Sequence, residues 1–133
     1  MNEAQTAAAT QCLAGAHDGT LDFPTIVRRL GAAGFESYAV DFRRGEVVYF
    51  LPGGEHLVLS ASKPHETVAA TFDAATIEEA VRAAQANAAG YTYVGFCERV
   101  AAAGCAGYTV SFLGRRVVYF GRTAETHVEL FPS

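Results

Sequence analysis

Tryptophan is absent, methionine occurs once, and Lys63 is the only lysine among ten basic residues. Fourteen Asp and Glu outnumber the basic residues and leave a formal charge of −4. A nucleic-acid grip draws its affinity from several cations on one face, so this acidic balance argues against a nucleic-acid partner. The three cysteines, Cys12, Cys97 and Cys105, are odd in number and form no C-x-x-C pair. That usage fits a reducing compartment, and a cytoplasmic protein is expected. The start, Met1-Asn2-Glu3-Ala4-Gln5, has no basic segment of the kind that opens a signal peptide. No apolar run reaches the roughly 20 residues that span a bilayer, so no membrane partner is expected. His17, His56, His65 and His127 are too dispersed for a metal-ligand motif, and neither metal nor cofactor is expected. G-x-S-x-G, H-E-x-x-H, Walker and G-x-G-x-x-G signatures are all missing, and no catalytic residue is assigned.

What is present is an architecture. The chain has 133 residues, half of them hydrophobic, which suits one domain covering the whole length. A chain of this size buries roughly 68% of its unfolded surface, enough for a core without cross-links. Residues 23–50 and 93–120 align without a gap at a shift of 70, with eleven identities. These include Arg29/Arg99, Ala33/Ala103, Gly34/Gly104, Tyr38/Tyr108, Val40/Val110, Phe42/Phe112 and the whole Val47-Val48-Tyr49-Phe50 against Val117-Val118-Tyr119-Phe120. Identities on structural positions mark an internal duplication. One repeat runs over about residues 5–60, the other over about 75–132, with 61–74 connecting them.

Periodicity gives each repeat the same elements. Residues 7–15 and 76–89 are alanine-rich with helical spacing; Thr76 with Glu79 reads as a capping box, and Gly90 as a C-cap. A second helix follows in each half, with Pro24 in the first turn of one and Ile26, Val27 and Leu30 on one face. Phe96, Cys97 and Val100 repeat that face, and Gly34 and Gly104 end the two helices. Tyr38, Val40 and Phe42 then alternate with polar or small residues, as Tyr108, Val110 and Phe112 do, marking half-buried strands. Residues 47–51 and 117–120 are apolar on both faces, and a third strand follows at 56–59. Its copy is expected at 127–131 after a one-residue insertion, and a further strand is expected at 67–72. The expected fold is α+β: two tandem αα-βββ repeats about a pseudo-twofold axis, with a mostly antiparallel sheet packed on four helices.

The pattern Tyr93-x-x-Phe96-Cys97, Ala103-Gly104, Tyr108-x-Val110, Val118-Tyr119-Phe120 and Glu129-Leu130-Phe131-Pro132 resembles a bacterial family. This is the YdfO-like family of unknown function, some of whose members are labelled "phage envelope protein". The first half is similar through Phe23-Pro24, Leu30, Gly34, Tyr38-x-Val40-Asp41 and Tyr49. In the family the second-half strand often ends Val-Asp, where this chain has Val110-Ser111. The resemblance implies no activity, cofactor or catalytic residue.

Strand parity singles out one constellation. If Tyr38, Val40, Phe42, Val48, Phe50, Leu57 and Leu59 face the helices, then Asp41, Tyr49 and His56 point the other way, with Tyr119, His127 and Glu129 in the copy. Tyr49, His56, Tyr119, His127 and Asp41 would then line a groove between the repeats, where ligand sites concentrate. The same residues also suit an ordinary solvated sheet face. Cys97 and Cys105 read as core residues. Arg43-Arg44 and Arg115-Arg116 mark corresponding hairpins, where they discourage edge pairing or meet an anion. The function expected is a non-enzymatic binding or interaction domain for a small molecule or a protein, acting as a monomer or homodimer. The alternative is a small enzyme using Tyr/His acid–base groups in that groove.

Overall fold

A computed structural model describes residues 1–132. The first repeat contains α1 (Glu3–Asp18), α2 (Phe23–Ala32), β1 (Ser37–Asp41), β2 (Glu46–Phe50) and β3 (His56–Ser60). The second contains α3 (Ala74–Gln85), α4 (Tyr93–Ala102), β4 (Cys105–Ser111), β5 (Arg116–Gly121) and β6 (Thr126–Leu130). The αα-βββ order is thus repeated, and the fold is α+β.

Short polar side chains start the helices, as the unpaired N–H groups of a first turn require. Asn2 caps α1 and forms a reciprocal pair with Gln5, Asp22 caps α2 with Pro24 just inside, and Thr92 caps α4. At α3 the cap is Asp73, which accepts the Thr76 N–H and its hydroxyl. Thr76 therefore sits inside the first turn and is not the cap expected from the sequence. Gly34 and Gly104 end α2 and α4 at φ of 105° and 95°. Gly104 has a second reason to lack a side chain: a Cβ there would lie 2.0 Å from the Thr71 carbonyl oxygen.

The six strands form one antiparallel sheet in the order β3-β2-β1-β4-β5-β6. The repeats join edge to edge through β1 and β4, with Ala39 opposite its own copy, Thr109. That register puts the pseudo-twofold axis between those two residues. The helices cover one face. Tyr38, Val40, Val47, Tyr49, Tyr108, Val110, Val117 and Tyr119 point into it and are buried with Leu30, Ile77, Phe96 and Val100.

Three sequence expectations need correction. Residues 67–72 form no strand; the connecting segment packs Val68 and Phe72 against the second repeat and bonds its backbone to Ala101 and Ala103. The third strands need no insertion. Phe50 pairs with His56 and Phe120 with Thr126, so the shift of 70 holds through both turns and His56 corresponds to Thr126, not to His127.

The third correction concerns parity on the second strands. Asp41 pairs with Glu46 and Ser111 with Arg116, leaving four residues in each hairpin turn. Tyr38 therefore stands beside Tyr49, and Val40 beside Val47, on the helix side. Val48 and Phe50 lie on the opposite face. Parity is set by turn length, and one residue of difference exchanges the faces.

Candidate functional site

Each of the five singled-out residues has a definite place; Tyr119 and His127 meet as cross-strand neighbours with ring centroids 6.4 Å apart, while Asp41 and His56 lie away from the tyrosines. Tyr49 and Tyr119 lie under the helices in a ladder of tyrosine rings. Tyr49–Tyr38, Tyr38–Tyr108 and Tyr108–Tyr119 have centroid separations of 5.6, 6.5 and 5.4 Å. These rings pack against one another on the helix side of the seam where a groove is expected from the sequence. Desolvation pushes the Tyr49 and Tyr119 phenols far above their ordinary value, and Tyr38, Tyr93 and Tyr108 likewise. Tyr108 shares a hydrogen bond of 2.7 Å with Tyr93, and His17 of α1 packs edge-on against Tyr93 at 5.5 Å. The His17 Nε2 is buried without a hydrogen-bond partner among the described residues. Its position at the seam of the two helix pairs had no sequence signal, because it depends on how those pairs dock.

His56 projects from edge strand β3 on the other face, where its ring lies 6.1 Å from Phe50. Tyr49 and His56 are thus on opposite sides of the sheet and cannot exchange a proton. His56 and His127 occupy the two opposite edge strands and also face opposite ways.

Asp41 does local work. Its Oδ1 accepts the backbone N–H groups of Arg43 and Arg44 at 2.9 and 3.0 Å, fastening the β1–β2 turn. Ser111 does the same in the copy, its hydroxyl oxygen accepting the Gly114 N–H at 2.8 Å. Both residues fasten their turns, Asp41 through two N–H groups and Ser111 through one. The paired arginines are not equivalent: Arg43 and Arg44 correspond to Leu113 and Gly114, while Arg115 and Arg116 replace Gly45 and Glu46.

His127 belongs to a partly buried polar network. Its Nε2 is 2.7 Å from Glu129 Oε1, and Arg82 of α3 donates to Glu129 Oε2 at 3.0 Å. Arg82 also reaches Glu78 and Gln85. Glu129 is 6% exposed, and a buried carboxylate is tolerated only with such partners. The first repeat places Leu57 and Leu59 at the positions of His127 and Glu129. The network therefore fastens edge strand β6 to α3 by polar contacts where the first repeat uses apolar ones.

The thiols are equally enclosed. Burial raises Cys97 to about 12 and Cys105 to about 11, so both remain protonated and weakly nucleophilic near neutrality. Two open depressions mark the helical side, of about 470 and 410 Å³. The first lies over α1, the second beside Arg99 and Asp73, and neither is lined by a tyrosine or a histidine.

The feature missed by the parity error is the face opposite the helices. Pairing across all six strands aligns Val58, Val48, Ala39, Thr109, Val118 and Val128 in one row. Val58 and Val128 are 47% and 45% exposed, and Leu130 is 62% exposed. Phe50 and Phe120, half-buried, stand on the two sides of this row. The signal for it was Val58 and Val128, an identity at the same shift of 70 that an inserted residue conceals.

No helix among the described residues is long and apolar enough to cross a membrane. The search of curated proteins found no match. The duplicated α+β chain belongs to the DUF1398 family, proteins of unknown function, whose family model matches residues 11–129.

Proposed function

We propose that this chain is a non-enzymatic interaction domain whose working surface is the open face of the sheet. The observation that carries the reading is the valine row that runs unbroken across six strands apart from Ala39 and Thr109 at its centre. An antiparallel sheet with one solvated face ordinarily alternates apolar-in with polar-out. Here two of the three outward positions on each second strand, Val48 and Phe50 on β2 and Val118 and Phe120 on β5, are apolar, the third being Glu46 or Arg116. Contiguous apolar surface rimmed by polar groups marks a binding surface for another protein. The rim is polar: Asp41, Glu46 and Ser60 on one side, Ser37, Ser111, His56 and Arg116 on the other. The helical side offers less, since its tyrosines, thiols and His127–Glu129 pair are consumed by packing and internal bonds. The YdfO-like resemblance, with its phage-envelope label, is compatible with a chain that works by assembling with protein, in the cytoplasm where its cysteine usage suits it.

Photo-crosslinking in cells tests this reading. A photo-reactive side chain at Val58 or Val128 is expected to give a discrete adduct, while one at Arg28 or Glu79 on the helices gives none. Equal labelling at all four positions, or none at any, removes the proposal.

A further inference from the structure

We infer that the occupant of the open face is a second copy of this chain, an inference that rests on the interaction reading above. Four side chains carry the inference. Glu46 and Phe50 project from β2, Arg116 and Phe120 from β5, all on the open side. The pseudo-twofold axis passes between β1 and β4, so β2 and β5 lie each about 7 Å from it at ordinary strand spacing. Glu46 and Arg116 are corresponding residues of the two repeats, as are Phe50 and Phe120. The four therefore mark the corners of a near-square, with opposite charges on one diagonal and two phenylalanines on the other.

Duplication alone would have left the same charge at both ends of the first diagonal. The present face is instead electrically complementary to itself. In a twofold dimer every contact is made twice, residue i on j and j on i. A dyad lying in the sheet plane along the Phe50–Phe120 diagonal sets each Glu46 on the Arg116 of the other copy. The same operation stacks Phe50 on Phe50 and Phe120 on Phe120. The strands of the two sheets then cross at nearly 90°, one of the two angles at which sheets pack face to face. Arg44 already holds Glu46 Oε2 at 2.9 Å, fixing the carboxylate at its corner.

Area sets the strength. Six strands of at least five residues each present a face of about 29 by 17 Å, close to 500 Å² per copy. Crossed at nearly 90°, the two faces share only about 17 by 17 Å, roughly 600 Å² for both copies together, below the roughly 1,000 Å² of a stable specific interface. Crossed sheets overlap chiefly over β2, β1, β4 and β5, so the dimer is weak and concentration-dependent.

Sedimentation equilibrium of the purified chain, from about 10 µM to 1 mM, is expected to show an average mass rising from 14.1 kDa toward twice that value. Glu46→Arg and Arg116→Glu should each weaken association at least about tenfold, and the double exchange should restore it. Both sites lie at the surface, and circular dichroism confirms that each variant is folded. A mass that stays at one chain across the range overturns the homodimer while leaving the interaction surface to its crosslinking test. A dimer that ignores both single exchanges, or that the double exchange fails to rescue, overturns the arrangement.

Discussion

Ala124 has φ of 67°, a left-handed conformation that its counterpart Gly54 adopts at 97° without a Cβ. Arg115, at 49°, likewise stands where the first repeat has Gly45 at 67°. The second repeat thus has the same turn geometry with a residue less suited to it. An L-residue in this region costs about 1–2 kcal/mol, partly offset by the freedom glycine loses on folding. Ala124→Gly is therefore expected to raise stability by about 0.5–1 kcal/mol, read as a higher denaturant midpoint at unchanged slope. Arg115→Gly should gain less, because the guanidinium lies 5.5 Å over the Phe131 ring and that contact would go. These positions were visible as turns in the sequence. Their strain was not, since only the gapless shift of 70 shows which glycine each one replaced.

At the scale of elements, the second repeat differs from the first in how its edge strand is held. Arg82, Glu129 and His127 form a chain from α3 to β6, with Arg82 half in solvent and Glu129 enclosed. Removing Arg82 leaves the carboxylate with His127 alone, so Arg82→Ala should cost about 1–3 kcal/mol. In a chain carrying His127→Leu and Glu129→Leu, the residues of the first repeat, the same change should cost little. A double-mutant cycle by chemical denaturation measures that difference; equal losses in both backgrounds would show that Arg82 acts through packing alone. The helices and first strands were legible from period and caps, because Ile26, Leu30, Tyr38 and Val40 leave one face apolar and the other not. The second strands were not legible in that way: 47–50 and 117–120 are apolar throughout, and such a run has no preferred side.

Over the whole molecule, the tyrosine ladder and the β1–β4 pairing tie the repeats into one cooperative unit. All six tyrosines have raised values, and in each burial is the first cause. Cys97 and Cys105 are raised from 9.0 for the same reason. A group with a raised folded value keeps its stabilising contribution below its unfolded value and loses it as pH climbs toward the folded one. Stability should thus hold to about pH 9, then fall steeply, with phenolate absorbance appearing together with unfolding and not as a free titration near pH 10. Separate phenolate steps in a chain that stays folded would contradict the enclosed ladder. Cooperativity also predicts that residues 1–60 and 61–133 made as separate chains fail to melt as folded units, because each exposes β1 or β4 and half the ladder. Circular dichroism of the pieces, alone and mixed, checks it.

The amino-acid order alone determined the duplication, the helix and strand sequence of each half, and the packing of Cys97 and Cys105 on the core, since period, caps and repeated glycines act locally. The single sheet, the axis at Ala39 and Thr109, and the side taken by Tyr49, Tyr119 and the valine row were decided only in three dimensions. Four residues in each hairpin turn set which alternate side chains go under the helices, and a strand apolar on both faces carries no pattern of its own to choose between them.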